Sequence, residues 1–293
     1  MQGDEENQDP TRNDAGRFSV RLRVATGILS ADQLGVIRDV AIRYGQGYVC
    51  LGAKQEVEIP GVSVSEVPAA QAALQAAGLS AGNAGARGRN VAACAGAERC
   101  AHAFLDARAL GRALEMLFGG DESPVPVKIA VAGCPNACTA PQVADIGFVG
   151  MVEPVLDRGR CTGCGACAAA CDKKALTMRR GLPRRDPQRC DCCGACLAAC
   201  PERALRAGRL GYTVYVGGKV GRYPQVGSVL ARFVPEEEVP DLAGRILGVL
   251  REHGQPRERL FSLTRRLGIE RLRAFVHSRP LHRIPLSDVT GGN

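Results

Sequence analysis

The sequence predicts an α+β protein made of two or three structural units. Its 293 residues are more than one small domain needs. Hydrophobic residues make up 45% of the chain, which is enough for a packed core and excludes wholesale disorder. A βαββα pattern occupies the first part of the chain, whereas cysteine-rich segments follow later. The separation of these two regions predicts distinct units.

The first unit begins after a polar, acidic stretch (residues 1–16) that we expect to be a disordered tail. Alternating apolar residues at 18–24 predict a half-buried strand. Ser30 and Gln33 form a capping box that opens a helix, which Gly45 ends. We expect further strands at 48–51 and 57–59, a turn at Pro60-Gly61 and a helix over 65–78.

The rest of the chain alternates strands and helices around the cysteine-rich segments. A helix is predicted to start at Asp106, and a buried strand over 128–131 leads into a Gly-Cys-Pro-Asn sequence. Strand character resumes at 212–216. The acidic residues 236–238 suit a helix N-terminus, and this helix ends at Gly254. Two short helices are expected at 257–267 and 269–276.

Charge and composition narrow the class of partner. A formal net charge of +8 favours anionic partners, cofactors or substrates. Nucleic acid is disfavoured, because 5 Tyr, 7 Phe and no Trp offer little for base stacking. No apolar stretch approaches the ~18 residues of a membrane span, so none is expected. Without an apolar run behind the acidic N-terminus we expect a cytoplasmic protein, where 14 cysteines favour metal ligation over disulfides.

Two runs of four cysteines have the spacing of bacterial two-cluster ferredoxins, and they start 29 positions apart. In such runs the fourth cysteine ligates the cluster of the other run. One [4Fe–4S] cluster is therefore predicted on Cys161, Cys164, Cys167 and Cys200, and the other on Cys190, Cys193, Cys196 and Cys171. Zinc is the alternative, but zinc ribbons use two separated Cys pairs. Cys192 is surplus and is expected to be a bystander, and Cys50 has no assigned role.

A further quartet is less specific when taken by spacing alone. Cys94 and Cys100 precede Cys134 and Cys138 by about 40 residues. These four could bind zinc or an iron–sulfur cluster, or form two buried cysteine pairs without a metal. The second pair directly follows a predicted strand, which favours a metal.

The order of these motifs resembles the nitrite/sulfite reductase family. C-x5-C followed by GCPNAC (133–138) is similar to the sirohaem and cluster signature of that family. Arg89-Asn90-Val91, the strand 128–131, ADIG (144–147) and YTVYVGGKVGRYP (212–224) fit the same order. The arrangement most resembles the anaerobic sulfite reductase C subunit and its dissimilatory relatives, over residues 17–276.

The resemblance implies the nitrite/sulfite reductase fold with an inserted bacterial two-cluster ferredoxin domain. The implied domains are a tail (1–16), a ferredoxin-like half domain (17–80), the first part of a sirohaem and [4Fe–4S] domain (81–151), the inserted ferredoxin domain (152–208), and the rest of the sirohaem domain with C-terminal helices (209–293).

The same resemblance implies cofactors and a reaction. Cys94, Cys100, Cys134 and Cys138 would hold a third [4Fe–4S] cluster, and Cys138 would also bridge to the sirohaem iron. Sulfite would be reduced to sulfide by six electrons that arrive through the ferredoxin clusters. The alternatives are ammonia-forming nitrite reduction, an electron-transfer protein without sirohaem catalysis, and a sirohaem-binding or assembly protein without turnover.

Catalytic and cofactor-binding residues follow from matching the family's motifs. Arg89, Lys128 and Lys54 match cations that hold the oxyanion and assist cleavage of its S–O bonds, although Lys54 replaces an arginine and only one lysine of a K-x-K pair survives. Each could instead be a surface or structural cation. The residues matched to sirohaem binding are Gln55, Arg87, Asn136, Lys219 and Arg222, together with Cys138.

The resemblance also implies partners. Larger family members carry two copies of the repeat and this chain carries one, so a homo- or hetero-oligomer is expected. No Rossmann glycine motif follows a strand, so electrons should come from flavin and iron–sulfur subunits. Arg179, Arg180, Arg184 and Arg185 could dock such a donor or lie on a solvated loop.

Overall fold

The structure, a computed structural model, describes residues 17–53, 55–79, 91–119 and 125–278. The chain divides into two units. The first comprises Met1–Ala92 and Leu114–Lys128, and the second comprises Ala93–Ala113 and Ile129–Asn293. The two units are described separately below.

The first unit is a three-stranded antiparallel sheet with two helices. Its elements are β1 (Arg17–Leu22), α1 (Ala31–Tyr44), β2 (Cys50–Leu51), β3 (Val57–Ser63) and α2 (Val67–Ala76), and the strand order is β1-β3-β2. The predicted capping box is confirmed, since the amide of Gln33 donates to Ser30 Oγ at 3.1 Å and the amide of Ser30 donates to Gln33 Oε1 at 3.0 Å.

The expected turn at Pro60-Gly61 is wrong. β3 continues through both residues to Ser63, and the irregularity is a bulge in β3, where Pro60 and Gly61 lie opposite Ser19 alone and Gly61 has φ of 78°. Pro60 cannot donate a ladder hydrogen bond, and such residues are tolerated in strands at a bulge. Local sequence indicates a turn, whereas pairing with β1 on both sides of the bulge lets the strand continue.

The core of the first unit lies between its sheet and its helices. Leu22 and Ile59 of the sheet and Leu74 of α2 are fully buried. The 114–128 segment supplies Glu115, which accepts a hydrogen bond from the amide of Val91 at 3.0 Å. Burial raises the pKa of Glu115. The hydrogen bond from Val91 and the charge of Arg23 partly oppose this rise.

The second unit contains most of a five-stranded mixed sheet, with helices and a cysteine-rich insert; β4 (Val91–Ala93) and α4 (Ala107–Phe118) cross the boundary between the two units. The sheet order is β10-β9-β6-β5-β4; β5 runs parallel to β6, while β6 with β9 and β9 with β10 are antiparallel. The strands are β4 (Val91–Ala93), β5 (Ile129–Ala132), β6 (Ile146–Leu156), β7 (Leu176–Arg179), β8 (Leu182–Arg185), β9 (Leu205–Val216) and β10 (Ser228–Val234). The helices are α3 (Gly96–Arg99), α4 (Ala107–Phe118), α5 (Ala166–Ala169), α6 (Ala195–Ala198), α7 (Val239–His253), α8 (Leu260–Leu267) and α9 (Ile269–Ser278).

One face of this sheet is covered by the C-terminal helices. Phe148 and Tyr212 are fully buried on that face, with their rings edge-to-face at 6.4 Å. Helix α8 packs on β9, and α9 packs on β10. Buried Asp145 accepts a hydrogen bond from Arg259 at 2.6 Å, which ties the segment before β6 to the start of α8. Burial lowers the solvent screening of this ion pair.

The insert, residues 157–204, leaves and rejoins the sheet at the paired ends of its two longest strands. Leu156 of β6 pairs with Leu205 of β9, and the amide of Asp157 donates to the carbonyl of Ala204 at 2.8 Å. Hairpin β7–β8 and the short helices α5 and α6 lie within it. Both ends of the insert are therefore held by one ladder.

Membrane-spanning character is not found in the described ranges, where every helix is too short or too polar to cross a bilayer.

Candidate metal and cofactor site

The cysteine loop, residues 133–138, turns back at the end of β5. The amide of Gly133 donates to Cys94 Sγ at 3.2 Å, and the amide of Cys94 donates to the carbonyl of Val131 at 3.1 Å. A Cβ atom at Gly150 would lie 2.5 Å from the carbonyl oxygen of Gly133, so glycine there lets the loop cross β6 closely. The end of β5 and the turn before α3 thus bring the two predicted cysteine pairs together.

Cys134 is at the centre of this quartet. Burial raises the pKa of the Cys134 thiol, and the nearby sulfurs of Cys100, Cys94 and Cys138 raise it further, while the amide of Asn136 lowers it. Cys134 is buried and Cys138 is exposed. Four sulfurs that disfavour one another's negative charge need a cationic centre among them to be thiolates together.

The two cysteine runs of the insert have the same backbone geometry 29 positions apart. Gly165 and Gly194 precede α5 and α6 in the left-handed region, with φ of 81° and 73°. The amide of Ala175 donates to Cys171 Sγ, and the amide of Ala204 donates to Cys200 Sγ, both at 3.2 Å. The duplicated spacing therefore corresponds to a duplicated fold.

Each half of the insert contributes thiols to both of two small cavities. The first thiol cavity is lined by Cys161, Cys164, Cys167 and Cys200. The second thiol cavity is lined by Cys171, Cys190, Cys193 and Cys196, with Cys192 beside them. This exchange of the fourth cysteine is the one that the spacing predicts.

The thiols of both cavities are costly to ionise without a cation. Burial raises the pKa of Cys196 to about 12, and the charges of Cys193 and Cys190 add to the effect. Burial likewise raises the pKa of Cys167. Across the described ranges no group of three or more His, Cys, Asp or Glu side chains is spaced to hold a single metal ion. A cubane is bound differently, since each thiolate takes a separate iron at a corner.

The second thiol cavity lies next to the cysteine loop. A Cβ atom at Gly194 would overlap the ring of Phe104, and the amide of Phe104 donates to the carbonyl of Gly133 at 3.2 Å. Cys134, Cys171 and Cys193 line a common cleft of about 390 Å³. One of the two insert sites is therefore in direct packing contact with the Cys134 site.

A larger cavity, here the sheet cavity, opens on the sheet face opposite the helices. Its volume is about 720 Å³, and Pro135 and Gln142, which flank Cys138 in sequence, contribute to its wall. Val149, Met151 and Thr213 form its floor because alternate strand residues share a face. Its cationic lining consists of Lys173, Arg185, Arg189, Arg209 and Arg232, and its acidic lining consists of Glu153 and Asp191.

The other predicted site residues are dispersed or undescribed. Lys54, Arg87 and Arg89 lie outside the described residues. Gln55 has φ of 61° and packs against Gly27 in the first unit. Lys128 is the last residue of the first unit and is half-buried.

The remaining three predicted sirohaem contacts are in the second unit. Asn136 is exposed on the cysteine loop. Lys219 Nζ lies 5.4 Å above the ring of Phe261, and the exposed Arg222 guanidinium lies 5.5 Å above the ring of Tyr223. None of the three is among the described residues that line the sheet cavity. Their roles toward sirohaem stay predictions.

Sequence reasoning misses most of the cations that line the sheet cavity. Arg209 and Arg232 lie on β9 and β10, and no local motif marks them. The sequence suggests only a docking or solvated role for Arg185, but its side chain is 25% exposed and is paired with Glu153 at 2.6 Å. The 29-position repeat is a signal that could have pointed to Arg185, because the matching residue of the first half is the apolar Leu156 and an arginine there departs from the repeat.

Comparison with known families covers both units. Residues 84–283 match the family described as "Nitrite and sulphite reductase 4Fe-4S domain". Residues 10–77 match the family described as "Nitrite/Sulfite reductase ferredoxin-like half domain". The crystal structure of dissimilatory sulfite reductase I has the same fold, with a TM-score of 0.73 and 22% identity over 91% of this chain and 70% of that chain.

Curated relatives agree with the family assignment. The coenzyme F420-dependent sulfite reductase of Methanocaldococcus jannaschii is 35% identical over 256 residues, which are 86% of this chain and 41% of that protein. The C subunit of the anaerobic sulfite reductase of Salmonella typhimurium is 34% identical over 175 residues, which are 55% of this chain and 51% of that protein. The chain thus spans about half the length, or less, of these relatives.

The α+β fold with a ferredoxin-like half domain, predicted from the sequence, is confirmed by these matches. Proteins of this kind bind sirohaem and a [4Fe–4S] cluster. On the extent of the match, the chain belongs to the nitrite and sulfite reductase family.

Proposed function

We propose that this chain is the catalytic subunit of a sirohaem-dependent, anaerobic-type sulfite reductase that reduces sulfite to sulfide with six electrons. The observation that carries the proposal is the grouping of twelve cysteines into three sets of four, with one insert set packed against the Cys134 set. The names of the two curated relatives, both sulfite reductases, support sulfite as the substrate.

The donor sets fit three [4Fe–4S] clusters. Each set consists of four thiols, and backbone amides donate to Cys94 and, in the insert, to Cys171 and Cys200. Amide donors stabilise the negative charge of a thiolate-bound cluster. Cys94, Cys100, Cys134 and Cys138 would hold the cluster that is coupled to sirohaem, with Cys138 as the bridging thiolate because it is the exposed member.

The insert is proposed to be the two-cluster ferredoxin domain of the sequence prediction, and its packing orders the electron path. The second thiol cavity shares the cleft near Cys134, whereas the first thiol cavity is walled by Leu156, Met178 and Leu205. Electrons would therefore pass from the Cys161 set to the Cys190 set and then to the Cys134 set. Phe104 and Gly194 keep the last two sets in contact.

The sheet cavity fits an anionic macrocycle. Sirohaem carries eight carboxylates, and the lining has five cationic side chains against two acidic ones. One close pair of opposite charges is worth roughly 4 kcal/mol at an effective dielectric constant of about 20. The cavity also adjoins the segment that carries Cys138, so we propose that sirohaem binds on this open face of the sheet.

The bound sirohaem with its coupled cluster would supply the electrons and the iron site for cleavage of sulfur–oxygen bonds. The chain's own contribution is charge and protons. Arg89, Lys128 and Lys54 would hold the oxyanion, and the two lysines would donate protons as oxygen leaves. Lys54 offers a point charge in place of the two-pronged contact that an arginine makes.

The chain is also proposed to work in an oligomer with flavin- and iron–sulfur-bearing donor subunits. One of its relatives is named as a subunit of an anaerobic sulfite reductase, which supports assembly with other chains. The exposed arginines Arg179, Arg180 and Arg184 suit an acidic donor surface.

The test is anaerobic reconstitution of the full chain, followed by absorption spectroscopy, iron and acid-labile sulfide assays, and turnover with sulfite or nitrite. We expect iron and sulfide for three cubanes, an extractable sirohaem whose bands shift on adding sulfite, and sulfide as the product. The variant Arg89→Ala should retain sirohaem and lose about a hundredfold or more in turnover, a loss typical of removing one charge-stabilising group. The matched control Arg99→Ala removes an exposed cation and should keep the wild-type rate.

Three outcomes would contradict this proposal. Iron for two cubanes without an extractable macrocycle would leave an electron-transfer protein. Ammonia from nitrite, with no sulfide from sulfite, would assign the other substrate. An unchanged rate in the Arg89→Ala variant would remove that residue from the mechanism.

A further inference from the structure

The 29-position repeat, which begins just before the insert, places residues of different chemistry at matching positions near the two cluster sites. Leu156 lines the first thiol cavity. Its counterpart 29 positions later is Arg185, on the hairpin that leads into the second cysteine run. An apolar side chain in one half is therefore replaced by a cation in the other.

Arg185 is held in place by a network of ionic hydrogen bonds. Its guanidinium donates to Glu153 Oε1 at 2.6 Å, and Arg209 Nε donates to Glu153 Oε2 at 2.9 Å. Glu153 is 22% exposed and therefore partly shielded from solvent. The two arginines, Arg209 and Arg185, hold the pKa of Glu153 below its usual range, so this carboxylate remains charged at neutral pH.

The same guanidinium lies beside a predicted cluster ligand. Arg185 and Cys190 line the sheet cavity together, and the charge of Arg185 acts on the Cys190 side chain. Two arginines share one carboxylate, so the network has a net positive charge beside the Cys190 sulfur. The first half has no such group at the matching position, because Leu156 carries no charge.

A cation at a ligand sulfur changes the redox balance of a cluster. Reduction adds one negative charge to the cubane and its thiolates. A positive charge beside one sulfur stabilises the reduced state more than the oxidised state, which raises the reduction potential. Partial burial of the ion network reduces the screening of this interaction.

We propose that Arg185, positioned by Glu153 and Arg209, raises the reduction potential of the cluster bound by Cys171, Cys190, Cys193 and Cys196. This inference rests on the proposed function, because it assumes that the insert binds two clusters. Arg185 therefore favours the reduced state of the insert cluster that packs against the Cys134 set. It is a positioning and tuning residue that acts through Cys190.

An acidic neighbour of the same cluster acts in the opposite direction. Asp191 interacts with the Cys193 side chain, and its counterpart in the first half is Thr162. Removal of the Asp191 charge should therefore raise the potential that removal of the Arg185 charge lowers. The opposite signs of these two changes provide an internal check.

The experiment is a redox titration of the full-length reconstituted protein, followed by electron paramagnetic resonance. Arg185→Leu introduces the residue type of the first half and should lower the reduction potential of one of the two insert clusters. Each cluster is seen as one wave of the titration, called an insert wave here. We expect a change of about tenfold in the ratio of reduced to oxidised cluster at fixed potential, which is about 59 mV for one electron. The other insert wave should not move. Asp191→Asn should move the affected wave upward.

Two variants serve as controls. Arg184→Leu removes the same charge from the adjacent, exposed position and should shift neither wave by more than a small fraction of that amount. Arg185→Lys retains the charge without the planar fork and should shift the wave by less than Arg185→Leu does. If Arg185→Leu fails to retain iron, Arg185→Gln takes its place, with a smaller downward shift expected.

The outcomes separate this inference from the proposed function. Iron for three cubanes with an Arg185 variant that behaves like Arg184→Leu would overturn the inference and leave the electron path intact. Wild-type protein without two insert waves would overturn both.

Discussion

The two halves of the insert have one scaffold and two environments. The amide of Asp157 donates to the carbonyl of Ala204, and the amide of its counterpart Asp186 donates to the carbonyl of Ala175, both at 2.8 Å. The second cysteine run, together with Cys171 and Lys173 at the end of the first half, lines the cleft beside the cysteine loop and the sheet cavity. Duplication of a cysteine run thus specifies two similar sites, and their neighbours in the fold make them different.

A second difference concerns the third residue of each cysteine run. Gly163 has φ of 73°, and a Cβ atom there would lie 2.6 Å from the carbonyl oxygen of Gly181. Its counterpart Cys192 has φ of 57° and a buried side chain. The left-handed backbone is common to both halves, but only the first half requires glycine for lack of space. Cys192 is therefore compatible with a bystander role beside the second thiol cavity.

The largest effect is expected from breaking the exchange of ligands between the halves. Cys200→Ser should empty the first thiol cavity, although Cys200 belongs to the second run. Iron should fall from roughly twelve to roughly eight atoms per chain, because one cubane loses a ligand. Iron analysis with magnetic resonance of the remaining clusters measures this, and Cys192→Ser is the control that should retain all iron. Loss of the Cys190 set's signal instead would mean that each run binds its own cluster.

An intermediate effect is expected at the glycines that precede α5 and α6. Alanine at Gly165 or Gly194 has the same backbone strain, about 1–2 kcal/mol for a left-handed residue. At Gly165 the new methyl group would meet only Met178 at 3.9 Å, whereas at Gly194 it would overlap Phe104. Overpacking adds about 1–3 kcal/mol, so Gly194→Ala should be the more destabilised variant.

Anaerobic denaturant unfolding of the two reconstituted variants measures this difference. Gly194→Ala should also slow reduction of the cluster on the Cys134 set, because its methyl group separates the two sites. Equal losses of unfolding free energy in both variants would show that the Phe104 ring can move to accommodate the added methyl group.

The smallest effect is expected from removing a surface ion pair by giving the second half the residue that the first half has. Arg206 donates to Asp157 at 2.8 Å, and the side chains are 56% and 34% exposed. The counterpart of Arg206 in the first half is Thr177, which cannot form this pair. Arg206→Thr should lower the free energy of unfolding by less than about 1 kcal/mol, since exposed pairs contribute little. Unfolding at low and high salt checks it, and a salt-independent loss above about 2 kcal/mol would contradict it.

Local patterns predict most of the elements but not all of their limits. The capping box at Ser30 and the helix ending before Gly254 depend on neighbours in sequence, and both are predicted correctly. The continuation of β3 through Pro60 depends on pairing with β1, which no local rule contains. Strand β10 is not predicted, because its burial alternates only in part and its register with β9 is shifted twice.

The candidate site divides in the same way. Cysteine spacing is enough to predict which thiols line each cavity of the insert, because the sulfurs of a tight run are brought together by the run itself. The cationic lining of the sheet cavity could not be predicted, because Arg209 and Arg232 come from separate strands that meet only in the sheet. The contact between Gly194 and Phe104 is likewise formed by residues 90 positions apart.

The sequence by itself determined the family and predicted the three sets of thiols, since both depend on residues at short, regular separations. Only the tertiary structure decided which insert site adjoins the cysteine loop and which charges surround it. The physical reason is range: ligand spacing is a property of a few consecutive residues. The electrostatic environment of a buried sulfur sums over side chains that folding brings together from distant segments.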